Sequence, residues 1–136
     1  MSFEQVRHDM NERIKKYGFT IQYVEAEETS ECFAYTIGLT DFGQPEFCVR
    51  GMTMEDSGII LNGVATDILH RGDFYAAGHT AAWKENRILY FARMRGARNY
   101  ALGVYSRYGS RARVLEIHLM PEGFPAACGG FHPTQN

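Results

Sequence analysis

Seven arginines and no acidic residue lie between Arg87 and Arg113. They are Arg87, Arg93, Arg95, Arg98, Arg107, Arg111 and Arg113, interleaved with Tyr90, Tyr100, Tyr105 and Tyr108. A guanidinium is a planar fork that grips phosphate or carboxylate through two parallel hydrogen bonds and also stacks on rings. Arginine mixed with tyrosine is therefore how anions, nucleotides and single strands are held. From Glu25 to Asp56 the bias is reversed, with eight acids and one base, Arg50. Two outcomes stand open for the basic segment. It pairs internally with the acidic one or forms a solvated face, or it presents Arg93, Arg95, Arg98, Arg107, Arg111, Arg113, Tyr100 and Tyr105 to an anionic partner.

Three acid-base candidates are weaker. Glu46 follows Pro45 and shares a strand face with Cys48 and Arg50, across from a strand carrying Thr36 and Gly38. Buried there, a carboxylate needs a partner, and an arginine of the basic segment is the candidate. Glu116 and His118 are two apart in a strand pattern and so share a face, where they would do acid-base work in a cleft or sit as a surface pair. Asn62, Asp67 and His70 fall on the polar side of a helical pattern, which reads as solvent exposure. The five histidines have no metal-ligand spacing, so no metal site is expected. The nucleophile elbow and the glycine-rich phosphate loops are absent, which leans away from an enzyme.

Elements of one domain must position these groups, because 136 residues suit a single core. Hydrophobic residues at 45% and charged residues at 22% describe a globular chain. A net charge of −2 supports nucleic-acid binding only weakly. No run approaches the length of a spanning helix, and the polar start MSFEQVRHDMNER is unlike a signal peptide. Cys32, Cys48 and Cys128 are odd in number and widely spaced, which predicts free, mostly buried thiols in a reducing cytoplasm.

Phe3, Val6, Met10, Ile14 and Tyr17 recur at helical steps, with Ser2 as cap and Gly18 as stop. Phe19 to Val24 alternates as a strand. Phe33 to Leu39 alternates bulky and small, TDFGQP turns the chain, and Glu46 to Met52 makes a second strand of the hairpin. Thr53 and Asp56 start a helix ending at Gly72. Gly58 and Gly63 inside it predict close packing as compensation for about 1 kcal/mol each. DFYAAG is a candidate short strand and Ile88 to Met94 a clear one. Ala97 to Tyr108 reads as a third helix and Ala112 to Leu119 as the last strand, before a Gly/Pro-rich tail. The sum is a single α+β domain: a mostly antiparallel sheet of about five or six strands with three helices on a face.

Several of these pieces together carry a resemblance. Phe33-Ala-Tyr-Thr-Ile-Gly-Leu-Thr, Gly43-Gln-Pro-Glu-Phe, Gly51 and Leu61-Asn62-Gly63-Val64-Ala65 resemble the bacterial and phage family called domain of unknown function 4262. The helix YALGVYSRYG, a strand running to a proline, and Phe124-Pro125 extend the likeness over roughly Gly18 to Pro133. Two features depart from it: the chain lacks a Cys-rich lead, and Glu-Ile-His-Leu-Met-Pro stands where relatives carry a Trp and an Asp. The resemblance implies a fold and a bacterial or phage setting, and no activity.

The leading reading is a small cytoplasmic accessory protein that binds an acidic protein surface or a phosphate-bearing ligand, with edge strands that suit a homodimer and no resident cofactor. Were it phage-encoded, the compartment would be the host cytoplasm. The second reading is an enzyme or a binder of a flavin- or nucleotide-type cofactor. It has a pocket near Tyr35 to Gly38, Glu46 as the acid-base group, and Arg93 or Arg95 as the clamp.

Overall fold

The computed structural model describes residues 2–121. Helix α1 (Phe3–Tyr17) begins where Ser2 Oγ accepts the Gln5 N–H at 3.0 Å and ends where Gly18, at φ +91, donates its N–H to the Ile14 carbonyl. Cap and stop are those the spacing predicts. The buried stripe is thinner than predicted. Met10 and Ile14 pack on the core, but Val6 and Tyr17 are exposed, and the Phe3 side chain lies outside the described residues. Arg13 adds a tether, its Nε donating to Thr20 Oγ1 at 2.9 Å.

Six strands form one sheet: β1 (Thr20–Val24), β2 (Phe33–Ile37), β3 (Glu46–Arg50), β4 (Thr80–Trp83), β5 (Arg87–Arg93) and β6 (Val114–Pro121). Their order is β1-β2-β3-β6-β5-β4, antiparallel throughout except for β3 beside β6. From β3 the chain crosses in α2 (Met54–Arg71) to the far edge and makes the β4–β5 hairpin. It then returns through α3 (Leu102–Tyr108) to lay β6 between β5 and β3. The last described strand is thus central, and its residues Val114 to Ile117 are all buried.

The helices cover both faces of the sheet rather than one. Leu61, Val64 and Ile68 of α2 pack with Phe47, Phe91 and Ile117 on one side. Val104 and Tyr108 of α3, with Met10 and Ile14 of α1, pack with Tyr35, Ile37 and Cys48 on the other. Alternation explains the division: β2 is buried at all five positions, so its small face (Ala34) and its bulky face (Phe33, Tyr35, Ile37) both need a cover.

Gly63 has the neighbour expected of a helix glycine, the Trp83 ring, 3.5 Å from where its Cβ would be. Gly58 does not, for nothing lies within 4 Å of its Cβ position. Gly58→Ala is therefore expected to stabilise the protein by roughly 0.5–1 kcal/mol, read as a higher urea midpoint at unchanged slope.

Most strand ends shift by one or two residues, β3 stopping at Arg50 and β6 running from Val114 to Pro121, and three differences from the sequence reading are larger. DFYAAG is not a strand: β4 starts at Thr80, and the preceding segment lays Tyr75 flat on Phe91, ring centroids 4.4 Å apart. That stacking buries the aromatic without a ladder. The third helix is split into a single 3-10 turn (Ala97–Asn99) and α3. The break lets the Tyr100 ring meet Phe33 edge-on at 5.1 Å, while the Gly103 N–H at the start of α3 is capped by Tyr35 Oη at 3.1 Å. The Phe33 strand ends at Ile37, because Gly38 to Thr40 turn their N–H groups elsewhere, as described next. Cys32 and Cys48 are free thiols, burial pushing Cys48 up to about 12, and Cys128 lies outside the described residues. No described helix is long and apolar enough to cross a membrane.

Candidate functional site

Glu46 is wholly buried, and no arginine meets it. Its Oε1 accepts from Thr36 Oγ1 (2.7 Å) and the Leu39 N–H (3.2 Å). Its Oε2 accepts from the Gly38 N–H (3.1 Å), the Thr40 N–H (2.8 Å) and Thr40 Oγ1 (2.7 Å). Three successive backbone N–H groups form a concavity that suits an anion, and this chain fills it with its own carboxylate. Burial pushes the Glu46 pKa upward, against the pull of the Thr40, Thr36 and Gly38 donors. The expected Glu46–arginine pair is thereby corrected, because a five-donor loop already supplies what a buried carboxylate requires. Tyr35, Thr36 and Glu46, which the second reading places at an acid-base pocket, all lie in the core.

Arg93, at the end of β5, and Arg113, just before β6, do converge. They line a cavity of about 400 Å³ with Tyr105, and Pro45, Ala97 and Leu115 supply apolar wall. Adjacent strands explain the meeting, because Arg93 is paired with Leu115, two residues beyond Arg113. Arg113 is held by the Gly43 carbonyl at 3.0 Å, and Arg98 lies over the Tyr105 ring at 4.6 Å. Farther along, Arg107 of α3 and Arg111 just beyond it sit over Tyr108 at 5.8 and 5.5 Å, and Arg107 also donates to Asn11 Oδ1 at 2.8 Å. Tyr108 in turn donates to Asp41 Oδ2 at 3.0 Å, and burial with that bond pushes its pKa up to about 12. Arg95 is exposed in the turn after β5.

No ion pair joins Arg93, Arg95, Arg98, Arg107, Arg111 or Arg113 to an acid among the described residues. Of the basic segment only Arg87 has one, to Glu85 at 3.2 Å. The internal salt-bridge outcome is excluded there. Arg98, Arg107 and Arg111 sit instead on tyrosine faces, an arrangement that leaves in-plane donors available.

Tyr100 is elsewhere. Arg50 lies over its ring at 5.3 Å and donates to its hydroxyl at 3.3 Å. The same guanidinium grips Glu116 bidentately, Nε to Oε2 at 2.6 Å and Nη2 to Oε1 at 3.2 Å, which raises the Arg50 pKa. Glu116 is thus buried and neutralised by Arg50, while His118 Nε2 stands 3.7 Å from it, as their shared strand face predicts, and both line the larger cavity described below. Asp67 also has partners, Arg71 at 3.8 Å and the Tyr75 hydroxyl at 3.5 Å. Tyr75 lines the Arg93 cavity and was not legible as a site residue, since its segment has no periodicity. Tyr108, one of the tyrosines interleaved with the arginines, is one helical turn from Tyr105.

The family model described as Domain of unknown function (DUF4262) matches residues 13–119. The chain belongs to that family. The match contains the whole self-filled nest, from Thr36 to Glu46, and both arginines of the cavity. The DUF4262 resemblance rested on residues of this nest: the AYTIGLT strand contributes its donors and the GQPE turn its carboxylate. No curated protein and no solved structure matches the chain.

Proposed function

We propose that this DUF4262 protein is a binding module that takes a phosphate or carboxylate carried on an apolar or aromatic body in the Arg93–Arg113–Tyr105 cavity. The observation that carries this reading is six arginines without an acidic partner among the described residues, two of them in one cavity. About 400 Å³ with apolar walls and few polar groups is the ordinary size and make-up of a small-ligand site. The forks of Arg93 and Arg113 grip the anion, Tyr105 offers a ring face, and Arg98, Arg107 and Arg111 raise the local potential that draws it in. The free thiols Cys32 and Cys48 support a cytoplasmic setting, bacterial or in a phage-infected host.

Titration with adenosine monophosphate and with inorganic pyrophosphate by calorimetry tests the reading. Saturable binding is expected to weaken at least tenfold in the Arg93→Ala/Arg113→Ala double variant, and to weaken with added salt. Both side chains are exposed, so the melting temperature should stay near that of the parent. Binding that survives the double variant, or none in the parent, would sink the proposal.

A further inference from the structure

A second and larger cavity, about 680 Å³, opens at the other end of β6, where β3 and β6 part. Their ladder stops at Cys48 and Glu116. Beyond it, Gly51 at φ +76 sends its N–H back to the Cys32 carbonyl at 2.8 Å, and the chain leaves for α2. β6 itself runs on to Pro121 with β5 on one side.

The direction of the β6 backbone groups follows from β5. Phe91 gives its N–H to the His79 carbonyl (2.9 Å) and accepts the Gly78 N–H (2.7 Å), both on the β4 side. Phe91 and Ile117 are therefore a pair without mutual hydrogen bonds, and by antiparallel alternation Glu116, His118 and Met120 bond to β5. Ile117 and Leu119 turn their backbone groups the other way, toward the cavity. The Ile117 carbonyl and the N–H and carbonyl of Leu119 lie past the end of the β3 ladder and meet no described strand.

We infer that this edge takes an extended peptide of alternating apolar and polar residues, added as a strand beside β6. An open row of strand donors and acceptors inside a cavity is complementary to another extended backbone. Alternation sets the side chains. On the α2 face they meet Ile60, Trp83 and Leu119, which are apolar. On the opposite face they meet His118 and the polar Arg50–Glu116 pair, the Arg50 side chain 32% exposed; Asp56, Lys84, Glu85 and Arg87, acids and bases in balance, also line the cavity. About four residues span Ile117 to Met120. The site is separate from the Arg93 cavity, which lies at the start of β6, so each stands or falls alone.

Trp83 lines the cavity and is the one tryptophan of the chain, so its emission reports occupancy. Acetyl-Val-Glu-Val-Glu-Val-amide is expected to shift that emission saturably, and the same peptide N-methylated at every residue to bind at least tenfold more weakly. Leu119→Pro, which removes one edge N–H without touching a β5 bond, should lose the response while the far-ultraviolet circular dichroism is kept. Equal response to both peptides, or no response in the parent protein, overturns the inference. So does a parent protein that self-associates in sedimentation and becomes monomeric as Leu119→Pro, which would put a second copy on the edge.

Discussion

Glu46→Gln is expected to cost roughly 2–4 kcal/mol, although it changes one atom. The carboxylate receives only donors, and three of them are backbone N–H groups that cannot reverse. An amide nitrogen in place of Oε2 would face the Gly38 and Thr40 N–H groups. In place of Oε1 it faces the Leu39 N–H, the lesser fault, with the Thr36 hydroxyl turned to accept. That hydroxyl already accepts the Phe47 N–H at 3.0 Å, a bond that stands in for the β2–β3 ladder where it has ended. The Gln variant therefore strands at least one buried donor and loosens the hairpin. Urea unfolding at constant slope checks it, and a loss below about 1 kcal/mol would show that the loop re-pairs without the charge.

Gly38→Ala should do more, costing about 4 kcal/mol or preventing folding. Gly38 sits at φ +129, and a Cβ there would stand 2.5 Å from the Gly18 carbonyl oxygen and 2.7 Å from Phe19 Cα. Both are backbone atoms, so no rotamer relieves the contact. Gly43→Ala separates strain from collision: φ is +76, but nothing lies within 4 Å, and the expected cost is about 1 kcal/mol. Thermal melts of the two variants side by side decide the matter. Equal losses would mean that the φ value alone explains Gly38.

These two residues show what the motif is for. The alternation of Phe33 to Ile37, the Gly/Pro turn and the acid after it were legible as a hairpin, because strand and turn chemistry are local. Glu46 was also legible as an acid in need of a partner. The partner was misjudged because charge in the sequence points to arginine, whereas a backbone nest has no sequence charge at all. It forms only when Gly38 bends the chain so that three N–H groups face one way.

The arginine segment runs the opposite course. Its composition was plain, and its independence from the acidic segment was not. Glu116 takes Arg50, and Glu46 takes the loop, so the buried acids are satisfied before the basic segment is reached. Which arginines share a cavity depends on β5 and β6 being neighbours, and this brings Arg93 to Arg113 but leaves Tyr100 with Arg50.

By itself the sequence determined the α+β class, the caps of α1 and α2, most strand positions and the membership in DUF4262, because these rest on periodicity, capping and turn residues within short reach. The tertiary structure decided the insertion of β6 between β3 and β5, the cover on both sheet faces, the filling of the nest and the two cavities. Those depend on which strands lie side by side and where a ladder stops, and that is fixed by packing between residues far apart in the chain.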